Sequence, residues 1–203
     1  MKSIHGRDKF YPLELALLFA LSAALVLGAR VGAEHKALSD KLVRLHVIAQ
    51  SDTQEDQAVK LLVRDAVLAR VEPALSGVKD AREAEATLRK LLPELESTAR
   101  WVSGIEQVHI VLGRESYPTR HYEDFSLPAG EYTSLRVELG AAEGKNWWCV
   151  VYPPLCTGSV TDAAQETAVL DGSDVRLITE ADEGYVIRFR LLELWGRLTA
   201  RTE

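Results

Sequence analysis

The chain has 203 residues, 47% of them hydrophobic, and a formal net charge of −6. Without residues 1–33, which hold four basic and two acidic residues, the net charge becomes −8. Such an acidic balance argues against nucleic-acid binding, because that binding depends on neutralising phosphates with lysine and arginine. The length suits one domain with a single core.

The N-terminal segment has the pattern of an export signal. A basic start precedes fourteen uncharged residues, Leu15–Gly28. A helix needs about 20 apolar residues to span a bilayer, so the run is short, which favours a signal peptide at 1–33. The alternative is an uncleaved anchor at 13–28, and the sequence does not decide between the two. In both cases this segment contacts the membrane and the remaining chain lies outside the cytoplasmic membrane.

The first elements after this segment are a strand and a helix. Residues 42–49 alternate with β-branched residues, which predicts a strand in the middle of a sheet. Ser51, Asp52 or Thr53 can then cap a helix that ends before Pro73. The three-four spacing predicts that its buried face consists of Val59, Leu62, Val63, Ala66, Val67 and Arg70.

A second helical region follows. Asp80 and Glu83 have the spacing of a capping box. Pro93 either begins a third helix or kinks the second, and Gly104 ends the region.

The later part of the chain predicts strands. Residues 107–113 alternate, "TRHYEDFSL" and "EYTSLRVEL" flank a turn signal at Pro128–Gly130, and a polar turn leads into "WWCVVY". Helices followed by hairpins indicate an α+β domain at 42–156, with two or three helices on one face of an antiparallel-rich sheet. Residues 157–203 have the composition of a variable tail.

No motif for chemistry stands out. The sequence lacks phosphate-binding glycine loops, nucleophile elbows and metal-ligand spacing, so we expect no cofactor, metal or small-molecule substrate. The enzyme hypothesis is a cell-envelope hydrolase with Cys149 as nucleophile, His121 as base and Asp124 orienting the base. A strand interior is a poor place for a thiolate, which counts against this hypothesis.

The two cysteines lie in the segment "GKNWWCVVYPPLC". An internal disulfide between Cys149 and Cys156 requires a chain reversal, which Pro153 and Pro154 favour. Free buried thiols and a bond to a partner remain the alternatives. Since adjacent strand residues face opposite ways, one tryptophan of the pair 147–148 belongs to the core and the other faces outward or lies under the tail.

Two stretches of the sequence resemble a known family. "RLHVIAQSDTQEDQAVKLLVRDAVL" and "YPTRHYEDFSLPAGEYTSLRVELGAAEGKNWWCVVYPPLC", within Val43–Cys156, are similar to stage II sporulation protein R of endospore-forming bacteria. The resemblance implies a secreted signalling protein, not an enzyme. It is made in the forespore and exported to the space between forespore and mother cell. There it activates a membrane-embedded aspartic protease that processes the sigma-E precursor.

The resemblance also suggests which residues contact the receptor. The motif contains polar and aromatic residues that a core does not require. As receptor-binding candidates we take Ser51, Asp52, Gln57, Tyr117, Arg120, Tyr122 and Trp147. A plain helix cap is the alternative role for Asp52, and sheet packing is the alternative for the two tyrosines.

Overall fold

The computed structural model describes residues 12–122, 125–156 and 169–179 of the chain. The chain forms two compact units, Met1–Lys36 and Ala37–Glu203. The described part of the first unit is helical throughout.

The N-terminal helix α1 spans Pro12–Ser39 and has 28 residues, twice the length of the uncharged run. It extends past Gly28 because the following residues include alanine, glutamate and lysine, which favour helix. The part from Glu14 to Ser39 is long and apolar enough to cross a membrane, a test that a signal sequence also passes. The chain therefore carries an N-terminal apolar helix of the kind found in signals and anchors.

The second unit is an α+β domain, as the sequence predicts. The described residues of this unit form six strands, β1 Val43–Ile48, β2 Val108–Tyr117, β3 Arg120–His121, β4 Ser126–Leu127, β5 Gly130–Leu139 and β6 Asn146–Tyr152. Four of them form the main sheet in the order β2-β5-β1-β6, and β3 pairs with β4 in a small second sheet.

The main sheet is mixed. β5 pairs antiparallel with β2, and β6 pairs antiparallel with β1, whereas β1 and β5 are parallel. β1 lies between two strands and is buried along nearly its whole length, which confirms its predicted central position. A parallel pair needs a long crossover, and the helical region between β1 and the later strands provides it.

Helix α2 spans Gln54–Leu75 and begins at an N-cap, Thr53, whose side chain accepts a hydrogen bond from the Asp56 amide. The predicted end before Pro73 is wrong, since the helix continues through Leu75, which is nearly one further turn. Pro73 removes the hydrogen bond to the carbonyl of Ala69, but both residues are exposed, and Leu75 gains a buried position.

The predicted buried face of α2 is only partly correct. Val63 and Val67 are fully buried, but Leu62 is 57% exposed and Arg70 is exposed. Apolar residues occur on more than one side of this helix, so its periodicity alone does not fix the face that meets the sheet. The buried residues of the helix are Lys60, Val63, Val67, Leu68, Val71 and Leu75.

Helix α3 spans Ala81–Ser103 as one helix. Asp80 caps its start by accepting a hydrogen bond from the Glu83 amide, and Gly104 ends it in the left-handed conformation at φ 67°. Pro93 lies inside the helix on an exposed position, so it does not divide the helical region in two.

The two helices cover the first face of the main sheet. This face is aliphatic, and the side chains that β1 contributes are Val43, Leu45 and Val47, all fully buried. The other strands add Val108, Ile110, Leu112, Leu135, Val137, Leu139, Cys149 and Val151. The alternation predicted for residues 107–113 is therefore confirmed, since Val108, Ile110 and Leu112 of β2 are buried on this face.

The sequence suggested that the turn at Pro128–Gly130 connects its two flanking stretches as a hairpin, and this prediction is wrong. β4 pairs with β3, whereas β5 pairs with β2 and β1. The turn instead carries the chain from the small sheet into the main sheet. The Tyr132 hydroxyl donates to the Pro128 carbonyl at 2.7 Å and holds this change of direction.

Within the tail the structure describes residues 169–179, which contain helix α4, Gly172–Thr179. Leu170, Leu177 and Ile178 are buried. The rest of the predicted tail, residues 157–168 and 180–203, lies outside the described residues.

Candidate functional site

The second face of the main sheet carries aromatic and charged side chains. At its centre Arg44 of β1 is fully buried. Its guanidinium carbon lies 3.8 Å from the centroid of the Tyr117 ring and 4.9 Å from that of Tyr132. One guanidinium nitrogen, Nη2, donates to the Tyr122 hydroxyl at 2.7 Å. We call these four residues the arginine–tyrosine cluster.

The charge of Arg44 is stabilised mainly by aromatic rings. Its Nε and Nη1 have no hydrogen-bond partner among the described residues. Burial raises the pKa of Tyr117, Tyr122 and Tyr132 above the usual value, so the tyrosines are neutral at physiological pH. Burying a cation is costly, and the cation–π contacts offset only part of that cost.

A hydrogen-bonded group adjoins this cluster. His46 Nδ1 lies 2.8 Å from Glu115 Oε1, and His46 Nε2 lies 2.9 Å from Asn146 Oδ1. The Tyr117 hydroxyl contacts Ser134 Oγ at 2.7 Å and Glu115 Oε2 at 3.1 Å. Burial acts to raise the pKa of Glu115, but hydrogen bonds from Ser134, His46 and Tyr117 outweigh it and lower the pKa.

An aromatic stack links this group to the small sheet. The Trp148 ring stacks on His46 at a centroid distance of 5.4 Å. The guanidinium of Arg120, from β3, lies 3.6 Å from the centroid of Trp148. The rings of Tyr122 and Phe125 stack at 4.5 Å. The β3–β4 segment is thus fixed to the second face by Arg44 and Trp148.

Three of the sequence-derived receptor candidates lie on this face. Tyr117 is buried, while Arg120 and Tyr122 are half-buried. The structure places these three together around the arginine–tyrosine cluster. The sequence pattern did not single out Arg44 or Glu115, because an arginine or a glutamate in an alternating strand usually faces solvent.

Of the other polar candidates, Ser51 and Asp52 lie in the loop after β1, and Gln57 lies in the first turn of α2. The Asp52 carboxylate accepts a hydrogen bond from the Lys145 amide at 2.7 Å. The Gln57 side-chain amide donates to the Ser51 carbonyl at 2.9 Å, and Ser51 Oγ donates to Asp56. These residues join the β1–α2 loop to the β5–β6 loop.

A close backbone approach supports this junction. The Gly144 amide donates to the Ala49 carbonyl at 2.9 Å. A Cβ built on Gly144 lies 2.2 Å from the Ser51 carbonyl oxygen, so only glycine fits there. The buried Lys60 ammonium donates to Gln57 Oε1 at 2.6 Å and to the Lys145 carbonyl at 3.0 Å. Ser51, Asp52 and Gln57 therefore have structural partners in the folded chain.

The two adjacent tryptophans lie on opposite faces of the sheet, as expected of neighbouring strand residues. Both are half-buried: Trp147 packs against the core of the first face, with Arg64 at 4.9 Å from its ring centroid, and Trp148 packs against the second cluster, which includes residues of the tail. Of the two predicted positions for the second tryptophan, the structure therefore agrees with the one under the tail. Among the tryptophans that the structure describes, the exposed one is Trp101 of α3, at 85% exposure.

Cys149 and Cys156 form a disulfide, with their Cα atoms 5.5 Å apart. The chain reverses between them, and the Leu155 amide donates to the Val150 carbonyl at 3.2 Å. A cysteine in a disulfide has no thiolate, so the hydrolase hypothesis loses its nucleophile in this state. His121, its proposed base, contacts Ser126 Oγ at 2.8 Å, and Asp124 lies outside the described residues.

Comparison with known proteins gives the family. The family model described as "Stage II sporulation protein R (spore_II_R)" matches residues 39–162, more than half of the chain. The chain belongs to this family. It is also 33% identical over 150 residues to the "Stage II sporulation protein R" of Bacillus subtilis (strain 168), covering 69% of this chain and 67% of that protein. No solved structure matches.

Membership of the stage II sporulation protein R family confirms the resemblance seen in the sequence and supports a role in sporulation. The matched range includes the whole main sheet, both covering helices and the β3–β4 segment. The arginine–tyrosine cluster lies entirely within it. The α4 segment lies beyond it.

Proposed function

We propose that this protein is an exported signalling protein of endospore formation. It is made in the forespore and acts between forespore and mother cell, where it activates a membrane-embedded aspartic protease that processes the sigma-E precursor. The observation that carries the proposal is the family match over residues 39–162. The apolar helix α1 and the disulfide are compatible with export, because disulfides persist outside the cytoplasm.

The proposal treats the protein as a ligand and not as a catalyst. Among residues 12–122, 125–156 and 169–179, no group of three or more acidic, histidine or cysteine side chains could hold a metal ion. Both cysteines are joined to each other. A ligand that binds the active state of a receptor more tightly than the inactive state shifts the population without chemistry of its own.

We place the receptor contact on the second face of the sheet, at Arg120 and Tyr122. Both belong to the β3–β4 segment and are only half-buried. Arg44 and Trp148 fix them from below, which gives a receptor a rigid surface of arginine and tyrosine. These residue types dominate binding energy at protein interfaces.

Coexpression in a non-sporulating bacterium tests the function. The full-length chain is expressed with the candidate protease and the sigma-E precursor, and processing is followed as a shift in precursor mass. We expect processing only when all three are present. A variant that lacks residues 12–33 should give none, and a foreign export signal fused to that variant should restore it. Equal processing with and without the chain would contradict the proposal.

A further inference from the structure

A second apolar cluster lies on the second face, separate from the core under α2 and α3. Its family-matched part includes Leu42, Phe125, Leu127 and Leu155, which we call the α4 groove. Leu170, Leu177 and Ile178 complete the cluster from the α4 segment. The residues that cover this groove therefore lie outside the range that the family model matches.

Specific contacts hold α4 over the groove. The Lys41 ammonium pairs with the carboxylates of Asp171, at 3.1 Å, and Asp174. Ile178 is fully buried and Leu177 is 8% exposed, whereas Thr179 and Arg176 face solvent. The bound helix thus presents an acidic residue near its first turn and two aliphatic residues one turn later.

Few interactions among the described residues hold α4 on the groove. α4 has eight residues, which is too short to be a stable helix by itself. The described contacts of the α4 segment are the buried side chains of Leu170, Leu177 and Ile178, the partly buried Val175, and the ion pairs of Lys41. The pair with Asp171, whose side chain is 60% exposed, contributes little to stability. The pair with Asp174 is more buried, at 9% exposure, so the cost of removing that carboxylate from water offsets part of the attraction. The apolar contacts must also offset the entropy of ordering eight residues.

We propose that the α4 groove is a docking site for an amphipathic helix of the receptor, and that α4 occupies this site in the free protein as an internal competitor. The partner helix carries a carboxylate for Lys41, followed by two aliphatic residues at the spacing of Asp174, Leu177 and Ile178. The groove adjoins the β3–β4 segment through Phe125 and Leu127. The inference rests on the proposed function, because it identifies the partner as the receptor.

The test uses the full-length chain with Ile178→Asp, which expels α4 from the groove. Thr179→Asp is the matched control, because it places the same charge on the exposed side of the same helix. The probe is a fluorescent peptide with the sequence of residues 169–179. Anisotropy should show that the peptide binds Ile178→Asp about tenfold more tightly than the wild type or Thr179→Asp, because only an open groove is available to it.

The same three chains are then purified and titrated against the candidate protease and the sigma-E precursor reconstituted in membranes, and processing is again followed as a shift in precursor mass. This reconstituted form is the processing assay used from here on. Ile178→Asp should reach half-maximal processing at about a threefold lower concentration than the other two, since no internal competitor must be displaced. The peptide added in excess should reverse this gain.

Three results would overturn the inference. The first is equal peptide binding by all three chains, and the second is unchanged or weaker processing with Ile178→Asp when the wild type is active. The third is that Ile178→Asp loses the fold of the whole domain instead of releasing α4 alone. Peptide binding is measured without receptor. Absence of processing by the wild type together with selective peptide binding would therefore count against the proposed function and not against the groove.

Discussion

The two faces of the main sheet have opposite chemistry. The first face, under α2 and α3, is formed by aliphatic side chains such as Leu45 and Leu135. The second face holds Arg44, His46 and Glu115 among tyrosines. Aliphatic burial stabilises a fold without directional requirements, whereas buried polar groups are costly unless each finds a partner. The difference suggests that the first face provides stability and the second face provides recognition.

The largest expected effect on stability is a cavity in the first face. Leu135→Ala removes a fully buried side chain and should lower the free energy of unfolding by about 3 kcal/mol. Urea denaturation measures it. Leu62→Ala is the control, because Leu62 is 57% exposed, and it should cost less than about 0.5 kcal/mol. Equal losses in the two variants would show that the first face is not the stabilising one.

The disulfide should give the next largest effect. Replacing Cys149 and Cys156 together with serine opens a short loop and should lower the free energy of unfolding by about 2.5 kcal/mol on the chain-entropy estimate. A reducing agent should destabilise the wild type by a similar amount and leave the double variant unchanged. A double variant that remains sensitive to reductant would contradict this interpretation.

A smaller change is expected in the second face. Arg44→Met removes a buried cation and fills much of its volume, so the free energy of unfolding should change by no more than about 1 kcal/mol. The lost cation–π contacts and the removed desolvation cost act in opposite directions. Thermal unfolding followed by circular dichroism measures the result. A loss as large as that of Leu135→Ala would mean that both faces contribute equally to stability.

The smallest effect concerns pH. The pKa of Glu115 lies below the usual value of a glutamate, so its contribution to stability is fully present above that usual value and is lost as pH falls through the lower pKa of the folded state. Glu115→Gln should flatten the stability profile in that acidic window. His46→Gln, which removes one partner of the carboxylate, should shift the window upward. An unchanged profile in Glu115→Gln would show that other carboxylates dominate acid unfolding.

Local features of this fold could be predicted from the sequence. The strand β1, the Asp80 cap and the end of α3 at Gly104 depend on neighbouring residues. Long-range features could not. The parallel pairing of β1 with β5 joins residues about ninety positions apart, and periodicity contains no information on the partner of a strand.

The same limit applies to the candidate site. Arg44 occupies an ordinary alternating position, and only the arrival of Tyr117, Tyr122 and Tyr132 from other strands and loops makes it a buried centre. Asp52 of the β1–α2 loop was predicted as a receptor contact because the family motif contains it. Its partner in the fold, the Lys145 amide, is distant in sequence, so the pattern of neighbouring residues does not reveal the contact. The sequence therefore identified polar and aromatic residues of interest without showing which of them meet.

One measurement tests most directly whether the second face is the signalling surface. Folded Arg44→Met and Leu135→Ala are titrated in the processing assay at a temperature at which circular dichroism shows both to be native. We expect Leu135→Ala to match the wild type and Arg44→Met to require about tenfold more protein for half-maximal processing, equivalent to about 1.4 kcal/mol of binding energy. The assignment of recognition to the second face would be contradicted if Arg44→Met needed no more protein than the wild type for half-maximal processing. It would also be contradicted if both variants needed the same increase in protein.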